Sequence, residues 1–171
     1  YLRELNDNWQ GFAETYTTST PIQHQQKFYN TKVEPYLQKK NKVFVIISDA
    51  LRFECGVELT SQILAENKKK DRFSATISSM LSSLPSYTQL GMASLLPHRQ
   101  LSIQNKNDIV FVDDKSSSGT ANRDKILKSY DENAMAIGYE DFLKYKRDEG
   151  RELVRNASVV YIYHDEIDKM G

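Results

Sequence analysis

The chain has 171 residues, of which 39% are hydrophobic and 27% are charged, a balance typical of one globular domain. The 23 Lys and Arg residues equal the 23 Asp and Glu residues in number, so net charge indicates neither a nucleic-acid partner nor a membrane surface. The single cysteine, Cys55, excludes an internal disulfide and a two-cysteine metal motif. A single cysteine fits a reducing cytoplasm, where we expect the protein. No apolar run approaches the ~18 residues of a transmembrane helix.

The first 40 residues predict a helical lead-in segment, separate from the domain that we expect over residues 41–171. Apolar residues recur at helical spacing from residue 1 to about residue 16. A second helix is predicted near residues 23–31. Glu34 precedes Pro35, which favours extended backbone at Glu34 and indicates a linker.

The strongest strand prediction is the apolar, β-branched run "VFVII" at residues 43–47, which is typical of a strand buried on both faces of a parallel sheet. Helical spacing follows from Leu51 and ends in the lysines of residues 68–70. The stretch "RFSATISSML" at residues 72–81, in which Phe73, Ala75 and Ile77 alternate, predicts a second strand.

The remaining elements continue the alternation of strands and helices. Predicted in order are a loop and a helix over 82–98, a strand at 109–112, a helix capped near 120–122, a mostly helical stretch over 134–157, and a strand at 159–163. This order predicts an α/β fold with a mostly parallel sheet flanked by helices.

Ligands bind beyond the carboxyl ends of the strands in open α/β sheets, and three groups of residues follow such ends. Asp49 comes two residues after the first strand, where a carboxylate could hold a divalent cation. An alternative interpretation is that Ser48 or Asp49 only caps the next helix.

Thr88 opens the predicted helix after "LPSY", where free N–H groups and the helix dipole favour an anion. Its hydroxyl becomes a useful nucleophile if a metal lowers its pKa. The alternative is that Ser86 and Thr88 are ordinary capping residues.

The stretch "YHDEID" follows the last strand directly. Asp168 comes four residues after His164, so the two would share one face of a helical turn. Imidazole and carboxylate groups are ligands that Zn²⁺ and Mn²⁺ prefer. A solvated acidic loop is the alternative interpretation.

Four segments in this order, "FVIISDALRFE", "LPSYTQLGMASLLPH", "GTANRDKIL" and "VVYIYHDEIDKMG", resemble the PglZ domain of the alkaline phosphatase superfamily. PglZ proteins are associated with bacterial anti-phage systems of the BREX type. The resemblance covers residues 40–171 and implies an alkaline-phosphatase-like fold with a site for two divalent metals, Zn²⁺ or Mn²⁺.

The resemblance also implies roles for single residues. Asp49 would bind one metal, Thr88 would be the nucleophile and contact that metal, and Asp168 would bind the second metal. His164 lies in the same motif and would be a ligand or would orient one. In the superfamily a further ligand and an Asp-His pair come later than Gly171. We therefore expect a domain truncated at its C-terminus, with an incomplete site and no activity by itself.

Two functions are consistent with these features. The first is a metal-dependent phosphatase or phosphodiesterase acting through Thr88 on a nucleotide or nucleic-acid phosphate ester. The second is a non-catalytic module that binds a metal or a nucleotide within a complex of phage-defence proteins. We expect no membrane partner.

Overall fold

The structure is a computed structural model that describes residues 2–13, 21–67, 73–104 and 108–170. The helices in these ranges are α1 (Leu2–Ala13), α2 (Glu34–Leu37), α3 (Phe53–Asn67), α4 (Thr88–Ser94), α5 (Thr120–Tyr130), α6 (Tyr139–Leu143), α7 (Arg147–Asn156) and α8 (Glu166–Met170). The strands are β1 (Val43–Ser48), β2 (Leu101–Gln104), β3 (Ile109–Val112), β4 (Lys115–Ser116), β5 (Ala134–Gly138) and β6 (Val159–His164). A 3₁₀ turn (Gln25–Lys27) and a π-helical turn (Tyr29–Val33) precede α2.

The main sheet has three parallel strands in the order β1-β6-β5, which confirms the predicted α/β class. Ser48 pairs with His164, and Gly138 pairs with Tyr163, so the three strands end at one edge of the sheet. The residues that follow β1 and β6 therefore lie side by side, as the sequence predicted.

The central strand β6 is buried on both faces and divides two hydrophobic cores. Tyr161 lies in the larger core with Leu90 of α4 and Ile126 of α5. Val160 lies in the smaller core with Ile137 of β5. Because side chains alternate along a strand, one apolar run serves both cores.

The edge strand β1 differs from its prediction, because only one of its faces is buried. Val45 is 8% exposed, whereas Ile46 on the other face is 68% exposed. Within the part of the chain that the structure describes, β1 pairs only with β6. A continuous apolar run thus does not by itself indicate burial on both faces.

The predicted strand at residues 72–81 is wrong. From residue 73 onward, where the structure describes this stretch, it forms no ladder, and its one pairing with a described residue is a single bridge between Leu81 and His24. Alternating side chains form a strand only where a neighbouring chain accepts and donates backbone hydrogen bonds. Here these bonds are limited to the two on Leu81, with Gln23 and Gln25.

The stretch over 134–157 was predicted as mostly helical, but its first five residues form β5. A short apolar run such as "AMAIG" suits either a buried strand or a buried helix. Because this run pairs with β6, it forms a strand rather than a helix. The helices α6 and α7 that follow agree with the prediction.

The predicted extended backbone at Glu34 is also wrong. Glu34 has helical angles (φ −52°, ψ −43°), and Pro35 lies in the first turn of α2. Proline is tolerated there because its missing N–H would make no bond inside the helix. Tyr29 and Val33, just before α2, lie in the larger core. The predicted boundary at residue 40 stays a prediction.

A second sheet, which the sequence did not reveal, is antiparallel and has the order β2-β3-β4. Its strand β3 packs against α4, and Val110 and Val112 reach the larger core. The sheet thereby holds α4 against β6. Within the described ranges, no helix is long and apolar enough to cross a membrane.

The turn between β3 and β4 is stabilised by a hydrogen-bond network around the partly exposed Asp113. Asp113 and Asp114 both have left-handed backbone (φ 47° and 66°), as a two-residue hairpin turn requires. The Asp113 carboxylate accepts hydrogen bonds from the N–H groups of Arg99 and Gln100 and from the Tyr130 hydroxyl. Partial burial raises the pKa of Asp113, but these bonds outweigh it and leave that pKa below its ordinary value.

We expect Asp113→Asn to lower the free energy of unfolding by about 0.5–1 kcal/mol at pH 7, a modest loss because the carboxylate is partly solvated. A lowered pKa means that the carboxylate stabilises the fold fully above the ordinary aspartate pKa of about 4 and loses this effect as the pH falls below it. Urea denaturation at pH 7 and pH 3 measures both values. Asp114→Asn, in the same turn, is the control and should change neither. An equal loss for Asp113→Asn at both pH values would contradict the network.

Candidate functional site

A cleft of about 390 Å³ lies at the carboxyl edge of the parallel sheet, where α4 and α5 begin. Its polar lining comprises Asp49, Thr88, Gln89, Thr120, Arg123, Glu140, Asp141, Tyr163, His164, Asp165, Asp168 and Lys169. All four residues predicted for the site are among them. The topology brings them together because β1 and β6 are adjacent and end at the same level.

Asp49 is held at the cleft by the backbone. Its N–H donates to the carbonyl oxygen of His164 (2.9 Å), which extends the β1-β6 ladder by one step. Its carboxylate accepts a hydrogen bond from the N–H of Ala50 (3.0 Å), which has left-handed backbone (φ 60°). The capping interpretation fails for both candidates, because α3 begins only at Phe53 and the Ser48 hydroxyl contacts His164 instead.

Thr88 is the first residue of α4 and its side chain is exposed to the cleft. The N-cap residue is Tyr87, with extended backbone and no side-chain capping bond. Neither Ser86 nor Thr88 is therefore the capping residue. The Thr88 side chain is thus left free of a capping role at the edge of the cleft.

His164 ends β6 and its ring is fixed by two neighbours. Its Nδ1 lies 3.0 Å from the Ser48 hydroxyl oxygen, and its ring meets Tyr139 edge-on with centroids 4.7 Å apart. When Nδ1 carries the proton and donates it to Ser48, Nε2 holds the lone pair that a metal or a proton would take. Asp168 lies in α8, one turn after His164, and is exposed.

Lys169 was not singled out from the sequence, yet it organises the acidic side of the cleft. Its ammonium group contacts Asp165 (3.1 Å), Glu140 (3.1 Å) and Glu166 (3.3 Å). The hydrogen bonds to these carboxylates raise the pKa of Lys169 above its ordinary value. The lysine thus neutralises part of the negative charge, while Asp168 has no ion pair with a described residue.

Arg123 was also missed, because one arginine within "TANRDKIL" carries no pattern of its own. It is 6% exposed and lies at the floor of the cleft, above the ring of Tyr163 (4.6 Å from its Cζ to the centroid). Burial raises the pKa of Tyr163 to about 12, although the nearby guanidinium lowers it. Tyr163 is therefore a neutral phenol at physiological pH.

The donors at this edge have the chemistry of a divalent-metal site, since they are carboxylates, a hydroxyl and an imidazole. The types of these side chains fit a metal site, but the distances between them do not. In the part of the chain that the structure describes, no group of three or more His, Cys, Asp or Glu side chains is close enough to hold a metal ion. A full ligand set is thus not formed by these residues alone.

A parallel sheet with carboxylate, hydroxyl and imidazole groups at its carboxyl edge defines an α/β domain of the kind that binds ligands beyond its strand ends. The family model described as the BREX system PglZ alkaline phosphatase-like domain matches residues 28–171. The chain belongs to this family, and the resemblance seen in the sequence is confirmed.

Two curated relatives extend this finding. The chain is 48% identical over 179 residues to the "Alkaline phosphatase-like protein BrxZ" of Escherichia coli O9:H4 (strain HS). It is 38% identical over 175 residues to the "Alkaline phosphatase-like protein PglZ" of Bacillus cereus (strain H3081.97). Each match covers 100% of this chain but 20% of the relative, so the chain spans about a fifth of their length. No solved structure gives a significant match.

Proposed function

We propose that this domain forms part of a metal-dependent phosphatase or phosphodiesterase of a phage-defence protein, acting on a nucleotide or nucleic-acid phosphate ester. The observation that carries the proposal is the common cleft of Thr88, Asp49, His164 and Asp168. Family membership supports it, because the family is described as alkaline phosphatase-like. A cytoplasmic location stays a prediction.

In this proposal, Asp49, Asp168 and His164 contribute ligands for one or two divalent cations, Zn²⁺ or Mn²⁺. Such cations supply Lewis acidity, which lowers the pKa of a hydroxyl and stabilises a leaving oxygen. The ring of His164 is already oriented by Ser48 for this role. The backbone bond to His164 likewise fixes where Asp49 stands.

Thr88 carries the covalent step. Its Oγ1 forms a bond to phosphorus while the ester P–O bond breaks, its proton passes to water in the open cleft, and the leaving oxygen takes a proton from water. A second water then forms a bond to phosphorus, the P–Oγ1 bond breaks, Oγ1 takes up a proton to restore the hydroxyl, and phosphate, or a monoester when the substrate is a diester, leaves. The exposed position of Thr88, outside any capping bond, suits this attack.

A non-catalytic role, in which the cleft binds a metal or a nucleotide within a defence complex, is the second candidate. The observation that favours it over an enzyme is that the described residues bring no three metal-binding side chains together, fewer than a catalytic metal centre needs. Both candidate functions include binding of a metal or a nucleotide, but only the enzyme would hydrolyse a phosphate ester.

The test is hydrolysis by the full-length protein, stripped of metal with a chelator and reloaded with Zn²⁺ or Mn²⁺. p-Nitrophenyl phosphate and bis-p-nitrophenyl phosphate serve as probes for monoesters and diesters. We expect release of p-nitrophenol only after reloading, and renewed loss when chelator is added. Metal binding without release of p-nitrophenol from either probe would reject the enzyme and leave the binding module.

A further inference from the structure

Arg123 is a buried cation without a counter-ion in the part of the chain that the structure describes. The acceptors of its three side-chain hydrogen bonds are all neutral: the Ser117 carbonyl oxygen (2.9 Å), the Met92 sulfur (3.0 Å) and the Gln89 amide oxygen (3.2 Å). None of the ion pairs between described residues includes it. A charge removed from water normally has a partner of opposite sign, so this position calls for an anion.

The guanidinium group retains hydrogen-bonding capacity. An arginine has five N–H donors, and each of the three contacts occupies one of them. The contact with sulfur is weak, because a thioether is a poor acceptor. The donors left over belong to a side chain that lines the cleft.

Tyr163 gives a second and independent observation. It is 7% exposed, it lines the same cleft, and its hydroxyl has no hydrogen-bond partner among the described residues. The guanidinium of Arg123 lies near the ring, with its Cζ 4.6 Å from the ring centroid. A buried hydroxyl without a partner is costly, which indicates an acceptor that binds from the cleft.

We propose that Arg123 and Tyr163 form an anion-binding pocket at the floor of the cleft, which takes a non-bridging oxygen of a phosphoryl group. The pocket opens into the cleft that Thr88 also lines, and Gln89, which contacts Arg123, follows Thr88 in α4. An anion held by Arg123 would therefore share the cleft with the Thr88 hydroxyl. The phosphoryl identity of this anion rests on the proposed function, whereas the anion-binding chemistry does not.

The test is calorimetric titration of the full-length protein with inorganic phosphate, in metal-free and Zn²⁺-loaded form. Arg123→Gln should raise the dissociation constant at least about tenfold, since a charge-assisted hydrogen bond is lost. Tyr163→Phe keeps the ring and should raise it about threefold, the effect of one neutral hydrogen bond. Arg155→Gln is the matched control, because Arg155 is exposed in α7 and precedes the opposite end of β6. It should leave the constant unchanged.

Arg123→Lys guards against a folding defect, since it keeps the buried charge but presents a single ammonium group. It should bind phosphate more weakly than the wild type while melting at a similar temperature. Unchanged phosphate affinity in both Arg123→Lys and Tyr163→Phe would overturn the proposal. That result would indicate that a carboxylate of the protein itself neutralises Arg123.

These outcomes separate the pocket from the enzyme. If hydrolysis is absent but phosphate binding still depends on Arg123 and Tyr163, the pocket stands and the proposed function fails. If Thr88 variants abolish hydrolysis while Arg123 and Tyr163 variants bind phosphate as the wild type does, the enzyme stands and the pocket fails.

Discussion

Replacement of Thr88 by alanine is expected to reduce phosphoester hydrolysis by the full-length protein about 10³-fold or more, because the covalent step loses its attacking oxygen. The fold should not change, since the Thr88 side chain is exposed and makes no capping bond. Metal binding should persist, because Asp49, His164 and Asp168 remain. Steady-state hydrolysis of both p-nitrophenyl probes and calorimetric metal titration measure the two effects separately.

Two further substitutions distinguish the hydroxyl from the shape of the side chain. Thr88→Val keeps the branched shape without the hydroxyl and should be as inactive as Thr88→Ala. Thr88→Ser keeps the hydroxyl and should retain part of the activity. Turnover by the valine variant at the wild-type rate would remove Thr88 from the mechanism.

The second large effect is expected for Asp49→Asn, which should weaken the binding of Zn²⁺ or Mn²⁺ at least about 100-fold. Substitutions that only reorient a ligand already cost about 10–100-fold, and Asp49 is proposed as a ligand itself. The asparagine oxygen can still accept the hydrogen bond from the Ala50 N–H, so the local backbone should be retained. Competition with a chromogenic chelator gives the affinity.

Asp148→Asn is the matched control for the loss of one negative charge. Asp148 is an exposed residue in the first turn of α7, and it does not line the cleft. Its replacement should leave metal affinity unchanged. An equal decrease for Asp148→Asn and Asp49→Asn would mean that overall charge, rather than a ligand at the strand end, controls metal binding.

The placement of the site could be predicted because it depends on strand ends, which leave a strong local signal. The apolar runs of β1 and β6 are long and β-branched, and the residues that follow parallel strands share one edge. That reasoning predicted that Asp49 and His164 lie at one edge of the sheet, as they do, while their roles stay predictions.

The features that were missed depend on long-range pairing, which local patterns do not encode. The run "AMAIG" becomes β5 only because β6 is available beside it, whereas residues 73–81 form no strand because, apart from one bridge at Leu81, they pair with no described strand. Arg123 likewise has no local signature. Its role follows from the position of α5 over Tyr163, which only the folded chain reveals.

The central position of β6 has a consequence for which side of the cleft can open by local unfolding. Backbone amides of a strand enclosed by two cores exchange with solvent only when much of the domain unfolds, whereas the first turn of a seven-residue helix can open at a much lower free energy. The side of the cleft that carries Tyr163 and His164 is therefore expected to be its most rigid part. The exposed first turn of α4, which carries Thr88, is the part of the cleft that we expect to open more readily.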